Sequence, residues 1–461
     1  MTRREFSATM LAAPARRPPN ILFVLADDLG WKDTGYNGSD FYETPNIDHL
    51  TRQGMVFSQA YACGANCAPS RACLLSGQYT PRHGIFAVDS TRRGPEKLMR
   101  MIPVPNRTSL DPNTVTLAEA LKSAGYATGL FGKWHLGDSN GSEPPAQGFD
   151  TYYDPRFPNP NQKRNLSEDP KGIYSLTRAA GEFMEKHRAR PFFAYVAHHA
   201  IHTALEARPE SLARFTAKAR GAQHGNPLYA ACTYDLDDGV GRLLGKLADL
   251  GLERDTLLVF TSDNGGTQQS SQEPLRGSKG CYYEGGIREP LIVRWPGVTA
   301  PASRCAVPVA NVDFYPTFLE VAGANAPRGH TLDGESLVPL LRGKDRLKRG
   351  AIFWHFPGYL NDAVPRGRDP VFRTRPVSVI RKGDWKLLLY HEEWQLDGGR
   401  ARIDGTNAVE LYNIAADAGE RDNLALINRP KRDELLSDLL RWMEQVNAPL
   451  PVERNPAYAP G

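Results

Sequence analysis

The sequence predicts an α/β protein: a large, mostly parallel sheet sandwiched by helices, followed by a smaller C-terminal antiparallel sheet with a helix. Four short apolar runs, at residues 20–26, 126–131, 192–197 and 257–260, have the composition of strands buried on both faces. Each run ends in a polar cluster, and helical patterns lie between the runs. Strands joined through intervening helices normally lie parallel in one sheet, with the helices packed on its two faces.

The C-terminal quarter has a different pattern. Residues 377–380, 385–390 and 409–414 alternate or run apolar like antiparallel strands, and a helical pattern follows them. The apolar side chains of that helix share one face, and they are Leu435, Leu436, Leu439, Leu440 and Met443. In a chain of 461 residues we therefore expect a large α/β domain over residues 19–345 and an α+β subdomain over residues 346–461.

The first 18 residues are similar to an export signal and are excluded from the predicted fold. Residues 2–6 resemble a twin-arginine motif, and residues 13–15 have the small-x-small form of a cleavage site. The apolar stretch between them is only about eight residues, at the short end for such a signal. We expect a periplasmic or secreted protein; the alternative is a cytoplasmic protein with a disordered tail.

Composition narrows the classes of function. The net charge of +4 neither requires nor excludes a polyanionic partner, and no nucleic-acid partner is expected. No run of about 18 apolar residues occurs, so no membrane span is expected. Six cysteines in this length do not make a disulfide scaffold. The pattern is that of a globular enzyme.

Oxygen-bearing side chains follow two of the predicted strands. Asp27 and Asp28 end the first run, and Asp263 and Asn264 follow the run at 257–260. In open α/β sheets, sites form at the carboxyl ends of the strands. Adjacent carboxylates repel each other unless a cation or solvent offsets their charge. Ligands that are all oxygen favour calcium or magnesium over zinc, and the alternative is a solvated turn.

The stretch at residues 67–77, Cys-Ala-Pro-Ser-Arg-Ala-Cys-Leu-Leu-Ser-Gly, is a loop that leads into a helix. Pro69 suits the first helical position and Gly77 suits the C-terminal cap. Cys67 would then lie just ahead of a helix N-terminus, where a thiolate or a bound oxyanion is favoured. Cys63 and Cys73 lie close in sequence, but the spacing lacks the paired C-x-x-C of a zinc site.

Two further strands lead into cationic or imidazole side chains. Lys133 and His135 follow the run at 126–131 and share one side if the chain is extended there. His198, His199 and His202 follow the run at 192–197, and such a cluster by itself would suggest zinc. These side chains would join the oxygen cluster at the same edge of the sheet.

The segment Cys-Ala-Pro-Ser-Arg, followed by Leu-Leu-Ser-Gly, resembles the signature of the formylglycine-dependent (type I) sulfatases, arylsulfatase-like members of the alkaline phosphatase superfamily. Further segments at 132–137, 202–205, 275–290 and 410–424 are also similar to this family, so the resemblance covers nearly the whole chain after residue 19. Ile201 and Ala204 stand where the family often has proline, which leaves His202 and His199 as alternatives for one active-site histidine.

The resemblance implies that a maturation enzyme converts Cys67 to formylglycine. One hydroxyl of its hydrate would attack the sulfur of a sulfate ester, and the other would allow sulfate to leave. The implied cofactor is one divalent cation, calcium rather than magnesium, and the implied ligands are Asp27, Asp28, residue 67, Asp263 and Asn264. The implied catalytic residues besides Cys67 are Arg71, Lys133, His135, His202 and Lys279, with His135 as a base and His202 as a general acid.

Three alternative functions stay open at this point. One is a phosphodiesterase or phosphonate monoesterase of the same superfamily, and another is a zinc hydrolase that uses the histidines. The third is a non-catalytic binder of sulfated glycans whose anion-binding face would be Arg82, Arg92, Arg93, Lys97, Arg100 and Arg107. The basic loop at residues 86–107 also suggests a sulfated polysaccharide substrate, although it could be a solvated loop.

Overall fold

The computed structural model describes residues 17–156 and 167–459. Within these residues the large sheet has nine strands, and β7 is the one strand that is antiparallel to the rest. In chain order the strands are β1 (Asn20–Ala26), β2 (Met55–Tyr61), β3 (Ala127–Gly132), β4 (Thr151–Tyr153), β5 (Phe192–Ala197), β6 (Thr256–Ser262), β7 (Arg288–Arg294), β8 (Ser303–Cys305) and β9 (Val309–Ala310).

The order across the sheet is β4-β3-β5-β1-β6-β7-β2-β8, and β9 pairs with the far end of β2. The registers align the ends of the four central strands: Leu25 lies opposite Ala197 and Thr261, and Gly132 lies opposite Ala197. The residues that follow β3, β5, β1 and β6 therefore leave the sheet at one level. This alignment positions the functional side chains.

Helices cover both faces of the sheet. Ile21, Phe23 and Leu25 of β1 pack in one core with the helices around Phe318, whereas Leu22 and Val24 pack in the core on the opposite face. The helices are α1 (Pro45–Gln53), α2 (Cys67–Ser76), α3 (Thr80–His83), α4 (Leu117–Ser123), α5 (Ile173–Lys186), α6 (Pro209–Ala217), α7 (Pro227–Asp249), α8 (Glu284–Ile287), α9 (Phe314–Ala322), α10 (Val338–Leu341), α11 (His391–Leu396) and α12 (Arg429–Gln445).

A second sheet follows the large one in the chain. Its order is β10 (Ile352–Phe356), β13 (Val377–Lys382), β14 (Trp385–Tyr390) and β15 (Val409–Asn413), with antiparallel pairing throughout. Helix α12 buries Leu435, Leu436 and Leu439 against it. A short hairpin of β11 (Leu360–Asn361) and β12 (Phe372–Thr374) lies between β10 and β13 in sequence. The boundary at residues 345 and 346 stays a prediction.

A buried ionic cluster joins the second sheet to the loop that precedes β7. The Nζ atom of Lys386 in β14 lies 3.1 Å from Glu284 Oε1 and 2.9 Å from Glu420 Oε1, and all three side chains are fully buried. Tyr61 of β2 donates to Glu284 over 2.8 Å. Burial and the nearby charge of Glu284 raise the pKa of Glu420 to about 7, because one ammonium faces two carboxylates.

The structure confirms the predicted fold class, and it corrects one local detail. Helix α2 begins at Cys67 with Asn66 as its N-cap, so Cys67 is the first helical residue instead of lying ahead of the helix. Pro69 consequently lies in the first turn rather than at its first position. Gly77 caps the helix in the left-handed conformation, as predicted (φ 66°).

No helix within residues 17–156 and 167–459 is long and apolar enough to cross a membrane. The twin-arginine-like segment at residues 2–6 and the small-residue segment at 13–15 lie outside the described residues.

Candidate active site

The oxygen-bearing residues predicted from sequence meet at the carboxyl ends of β1 and β6. Asp27 and Asp28 follow β1, Asp263 and Asn264 follow β6, and Cys67 faces them from the first turn of α2. One ligand atom from each of Asp27, Asp28, Cys67 and Asp263 lies within 4.8 Å of the others. Asn264 joins the cluster because its Nδ2 donates to Asp28 Oδ1 over 2.9 Å.

Three cationic side chains pair with these carboxylates. Arg71 of α2 donates through Nε and Nη2 to Asp263 Oδ2, at 3.0 and 2.7 Å. Lys133 Nζ lies 2.7 Å from Asp27 Oδ2, and Lys279 Nζ lies 2.6 Å from Asp28 Oδ1. Arg71 Nη1 also donates to the carbonyl of Lys133 over 2.7 Å, which joins α2 to the end of β3.

The thiol of Cys67 lies between the carboxylate of Asp27 and the ammonium group of Lys279. Its Sγ donates to Asp27 Oδ1 over 3.2 Å and accepts from Lys279 Nζ, also over 3.2 Å. Burial, with Asp263 and Asp27 nearby, raises the pKa of this thiol well above its usual value. Of the two anions expected at this helix N-terminus, the thiolate is disfavoured by burial and by the nearby carboxylates, whereas a bound oxyanion stays a prediction.

His135 is half-buried near Lys133, and its buried Nδ1 has no hydrogen-bond partner among the described residues. Burial, with the charges of Lys133 and Arg71, lowers the pKa of His135 to about 2, so its imidazole is neutral. The φ of His135 is 65°, so the chain turns at this residue. The extended conformation that would place Lys133 and His135 on one side is therefore not present. The turn nevertheless places the imidazole where Arg71 and Asp27 influence it.

The structure separates the histidines that follow β5. His202 Nε2 lies 3.8 Å from Asp28 Oδ2, and its Nδ1 bonds to the carbonyl of Thr203. His199 instead pairs with Asp154 over 2.9 Å. The imidazole of His198 is buried without a partner in the described part of the chain. His202 thus lies at the oxygen cluster, although 38% of its side chain is exposed.

The donor set fits a hard divalent cation. Asp28 Oδ2 and Asn264 Oδ1 are buried and have no hydrogen-bond partner among the described residues, so both oxygens are free to bind an ion. Burial and the charge of Asp27 raise the pKa of Asp263 to about 6 when no cation is present. Carboxylate and amide oxygens are the ligands that Ca²⁺ and Mg²⁺ prefer.

The charges of the site leave room for an anion. Asp27, Asp28 and Asp263 are balanced by Arg71, Lys133 and Lys279. A bound divalent ion would therefore make the site net positive. Because these charged groups are buried, where the effective dielectric constant is low, the positive charge would attract an anionic substrate strongly.

A zinc site built on Cys63 and Cys73 is not supported by the described residues. The groups there that bring together three or more possible metal-binding side chains both contain Asp27 and Cys67, and one adds His202. Cys63 and Cys73 belong to neither group, and Cys73 Sγ lies 3.3 Å from His83 Nε2 instead. All six cysteines are free and buried.

One neighbour of the site was not predicted from sequence. Arg373 of β12 donates through Nη1 to the main-chain carbonyl of Lys279 over 3.0 Å. It reaches this position from a hairpin almost 100 residues further along the chain, and no local pattern in the sequence signals the contact.

The fold and the cluster of carboxylates, cations and Cys67 at the ends of the strands are typical of a hydrolase of anionic esters. The family model Sulfatase matches residues 19–324, and the model N-sulphoglucosamine sulphohydrolase, C-terminal, matches residues 278–448. The chain belongs to the sulfatase family, within the alkaline phosphatase superfamily, and is a sulfuric ester hydrolase. Sulfatases of this family generally use formylglycine and a divalent metal.

Curated relatives agree over most of the chain. A Sulfatase of Formosa agariphila is 34% identical over 94% of this chain and 90% of its own length. Arylsulfatase A of Homo sapiens is 31% identical over 88% of this chain and 83% of its own length.

Solved structures share the fold. Ps i-CgsB in complex with k-i-k-neocarrahexaose is 30% identical, with a TM-score of 0.73 over 93% of this chain and 92% of that one. The Phosphonate Monoester Hydrolase of Agrobacterium radiobacter has a TM-score of 0.67 at 21% identity, over 93% of this chain and 96% of that one. The second likeness shows the fold alone, so the fold does not by itself distinguish the two ester chemistries.

Proposed function

We propose that this sulfatase hydrolyses sulfate esters of a carbohydrate, with formylglycine made from Cys67 as the nucleophile and calcium as the metal. The observation that carries the proposal is the convergence of Cys67, three carboxylates and three cations at one end of the sheet. We further propose that a formylglycine-generating enzyme matures the protein and that the mature protein is periplasmic or secreted.

Formylglycine at residue 67 supplies, when hydrated, two hydroxyl groups on one carbon: one to attack sulfur and one to allow sulfate to leave. The contacts of Cys67 suit such a hydrate. Asp27 Oδ1, now an acceptor for Sγ, can accept a hydroxyl proton, and Lys279 Nζ can donate to the other oxygen. A serine at this position would have no second hydroxyl for the release of sulfate.

Arg71 and Lys133 hold the nucleophile and the substrate in place. The guanidinium of Arg71 donates two hydrogen bonds to Asp263, and these bonds orient the carboxylate toward residue 67. Lys133 has its ammonium at Asp27 and can bridge from there to an oxygen of the sulfate. His135, which is neutral and has a free Nδ1, is suited to take the proton from the second hydroxyl when sulfate is released.

His202 and Lys279 serve the leaving oxygen. His202 Nε2 faces Asp28, and its bond through Nδ1 to the Thr203 carbonyl orients the ring toward the site. A protonated His202 can donate to the oxygen that leaves with the organic group. Lys279 lies beside both Asp28 and residue 67, so its charge stabilises the oxygens that become more negative during transfer.

The metal would be held by Asp27, Asp28, Asp263, Asn264 and residue 67. When bound, it would supply positive charge for the nucleophile and the sulfate oxygens. Calcium is favoured over magnesium by the resemblance to the family, whereas the oxygen ligands themselves suit either ion.

A carbohydrate substrate is supported by the relatives. N-acetylgalactosamine-6-sulfatase of Sus scrofa is 35% identical over 74% of this chain. Ps i-CgsB was solved in complex with k-i-k-neocarrahexaose.

The test compares kcat/KM for an aryl sulfate with that for a matched aryl phosphodiester, and then screens a panel of sulfated saccharides. We expect the aryl sulfate to be preferred and at least one saccharide to release inorganic sulfate. The Cys67→Ala variant, metal-loaded in the same way, should show no turnover, because no other side chain provides the nucleophile. Preference for the phosphodiester would contradict the proposal.

A further inference from the structure

The basic loop at residues 86–107 is less cationic than its sequence suggests. Four of the six basic side chains considered for an anion-binding face have acidic partners: Arg82 with Asp333, Arg92 with Glu96, Arg100 with Asp397 and Arg107 with Asp111. Arg93 and Lys97 have no acidic partner among residues 17–156 and 167–459. The ion pairs therefore reduce the positive charge of this face and leave Arg93 and Lys97 as its unpaired cations in the described part of the chain.

Arg373 likewise has no ion pair among the residues that the structure describes. Its Nη1 donates to the carbonyl of Lys279 over 3.0 Å, and its Nε donates to the carbonyl of Asp362 over 3.3 Å. A guanidinium has five N–H groups, so these two bonds leave Nη2 and one N–H of Nη1 available. The Asp362 carboxylate lies nearby, but it accepts from Asn361 Nδ2 instead, over 2.9 Å.

The charge of Arg373 is only partly compensated. Its burial lowers the pKa of the guanidinium, and the like charge of Arg93 adds to this, against the attraction of Asp362 and Asp28. The two arginines come from neighbouring segments, because Gly94, next to Arg93, lies against the ring of Phe372, next to Arg373. A half-buried cation near a second cation is stabilised when an anion binds.

The chain is shaped to hold Arg373 where it lies. A Cβ on Gly280, whose φ is +90°, would come within 2.3 Å of Arg373 Cδ, so only glycine lets the side chain cross this loop. A Cβ on Gly94 would come within 2.7 Å of the Phe372 ring. Two close approaches thus bring the loop that carries Arg93, the hairpin that carries Arg373 and the loop that carries Lys279 together.

Arg373 lies near the reacting group. Arg373 holds the main chain of Lys279, and the ammonium of the same lysine lies 3.2 Å from Cys67 Sγ. One lysine side chain therefore separates the guanidinium from the nucleophile. A substituent on the same sugar, or on the next one, could reach Arg373 while a sulfate occupies the catalytic site.

We propose that Arg93 and Arg373 form a subsite for a second anionic group of the substrate, a sulfate or a carboxylate, so that the preferred substrate is a saccharide with at least two negative groups. The inference rests on the proposed function and names the substrate class of the same site. Charge-assisted hydrogen bonds from two arginines to one anion supply the preference.

The experiment uses the best saccharide of the panel in two forms, one with the scissile sulfate alone and one with an additional sulfate. For the wild type we expect kcat/KM to be about tenfold higher with the disulfated form, mainly through a lower KM. Arg373→Gln and Arg93→Gln should bring the ratio of the two kcat/KM values close to one. Arg93→Lys, which keeps the charge, should retain part of the preference.

Arg92→Gln is the matched control, because Arg92 is the neighbouring arginine on the same loop and is paired with Glu96. It should leave the ratio as in the wild type. An equal loss of kcat for both forms in Arg373→Gln would overturn the proposal, since it would show that Arg373 only positions Lys279. A wild type without preference would overturn it as well. Turnover of the monosulfated form tests the proposed function separately.

Discussion

Cys67 illustrates how the surroundings of one side chain select its chemistry. Its thiol is buried between Asp27 and Lys279, and the carboxylates nearby raise its pKa, so it is a poor nucleophile as a thiol. A hydrated aldehyde, in contrast, can donate one hydroxyl to Asp27 and accept from Lys279 with the other. The site is therefore better suited to the oxidised residue than to the cysteine from which it is made.

The role of His202 can be tested with leaving groups of different basicity. His202→Ala should lower kcat/KM for an alkyl sulfate by about 10²-fold, because an alkoxide needs protonation as it leaves. The loss for an aryl sulfate should be much smaller, since a phenolate leaves more easily without a proton. Steady-state kinetics on the two substrates measure the difference.

His199→Gln is the control for this prediction, because His199 pairs with Asp154 and lies away from Asp28. It should not distinguish alkyl from aryl sulfates. Equal losses for both substrates in His202→Ala would remove this residue from the acid role.

Sequence could predict the residues that directly follow the strands, and it could not predict the residues that reach the site from elsewhere. Asp27 and Asp263 follow buried apolar runs, so the topology alone brings them together. His202 was favoured over His199 only by resemblance to the family, because the positions of the two side chains depend on the path of an irregular segment. Arg373 is part of the site only through a contact between distant segments.

Secondary structure followed the same pattern. The strands at Asn20–Ala26 and Phe192–Ala197 have the predicted bounds. Both are central in the sheet, and their residues are apolar except for Asn20 at the start of the first strand. β2 and β7 were not predicted as strands. β2 mixes apolar residues with Ser58 and Gln59, and β7 begins and ends in arginine, so neither reads as a buried strand. Their burial comes from tertiary packing, which local patterns do not encode.

The cluster around Lys386 joins β14 to Glu284, the first residue of α8. Its contribution to the stability of the protein can be tested by substitution. Lys386→Met should lower the free energy of unfolding by about 3–5 kcal/mol, because Glu284 and Glu420 would lose the buried ammonium that lies between them. Urea unfolding followed by circular dichroism measures this change.

Lys382→Met, at the end of the neighbouring strand β13, is the matched control. Lys382 pairs with Glu434 and Asp438 at the surface, and its loss should cost roughly 0–1 kcal/mol. Similar midpoints for the two variants would show that the buried cluster does not contribute as described.

For the protein as a whole, the metal site should couple stability to activity. Three carboxylates converge at the carboxyl ends of β1 and β6, so a bound cation would stabilise the folded state over the unfolded one. At a free metal concentration about 100 times the Kd, the gain would be about 2.7 kcal/mol. A chelator should therefore lower both Tm and sulfatase activity.

Added calcium should restore both properties, and magnesium should restore them less well at equal concentration. An equal ionic strength of sodium chloride is the control, because it screens charges without binding the site. A Tm and an activity that do not change on chelation would contradict the assigned ligand set.

The central claim is that residue 67 acts as formylglycine, and it is tested most directly by relating turnover to the modified fraction. Preparations from cells with graded amounts of a maturation enzyme would be digested, and mass spectrometry would give the fraction of formylglycine in the peptide that contains residue 67. We predict that kcat for an aryl sulfate is proportional to this fraction and vanishes when it is zero. Full turnover by protein that carries only cysteine at residue 67 would contradict the account.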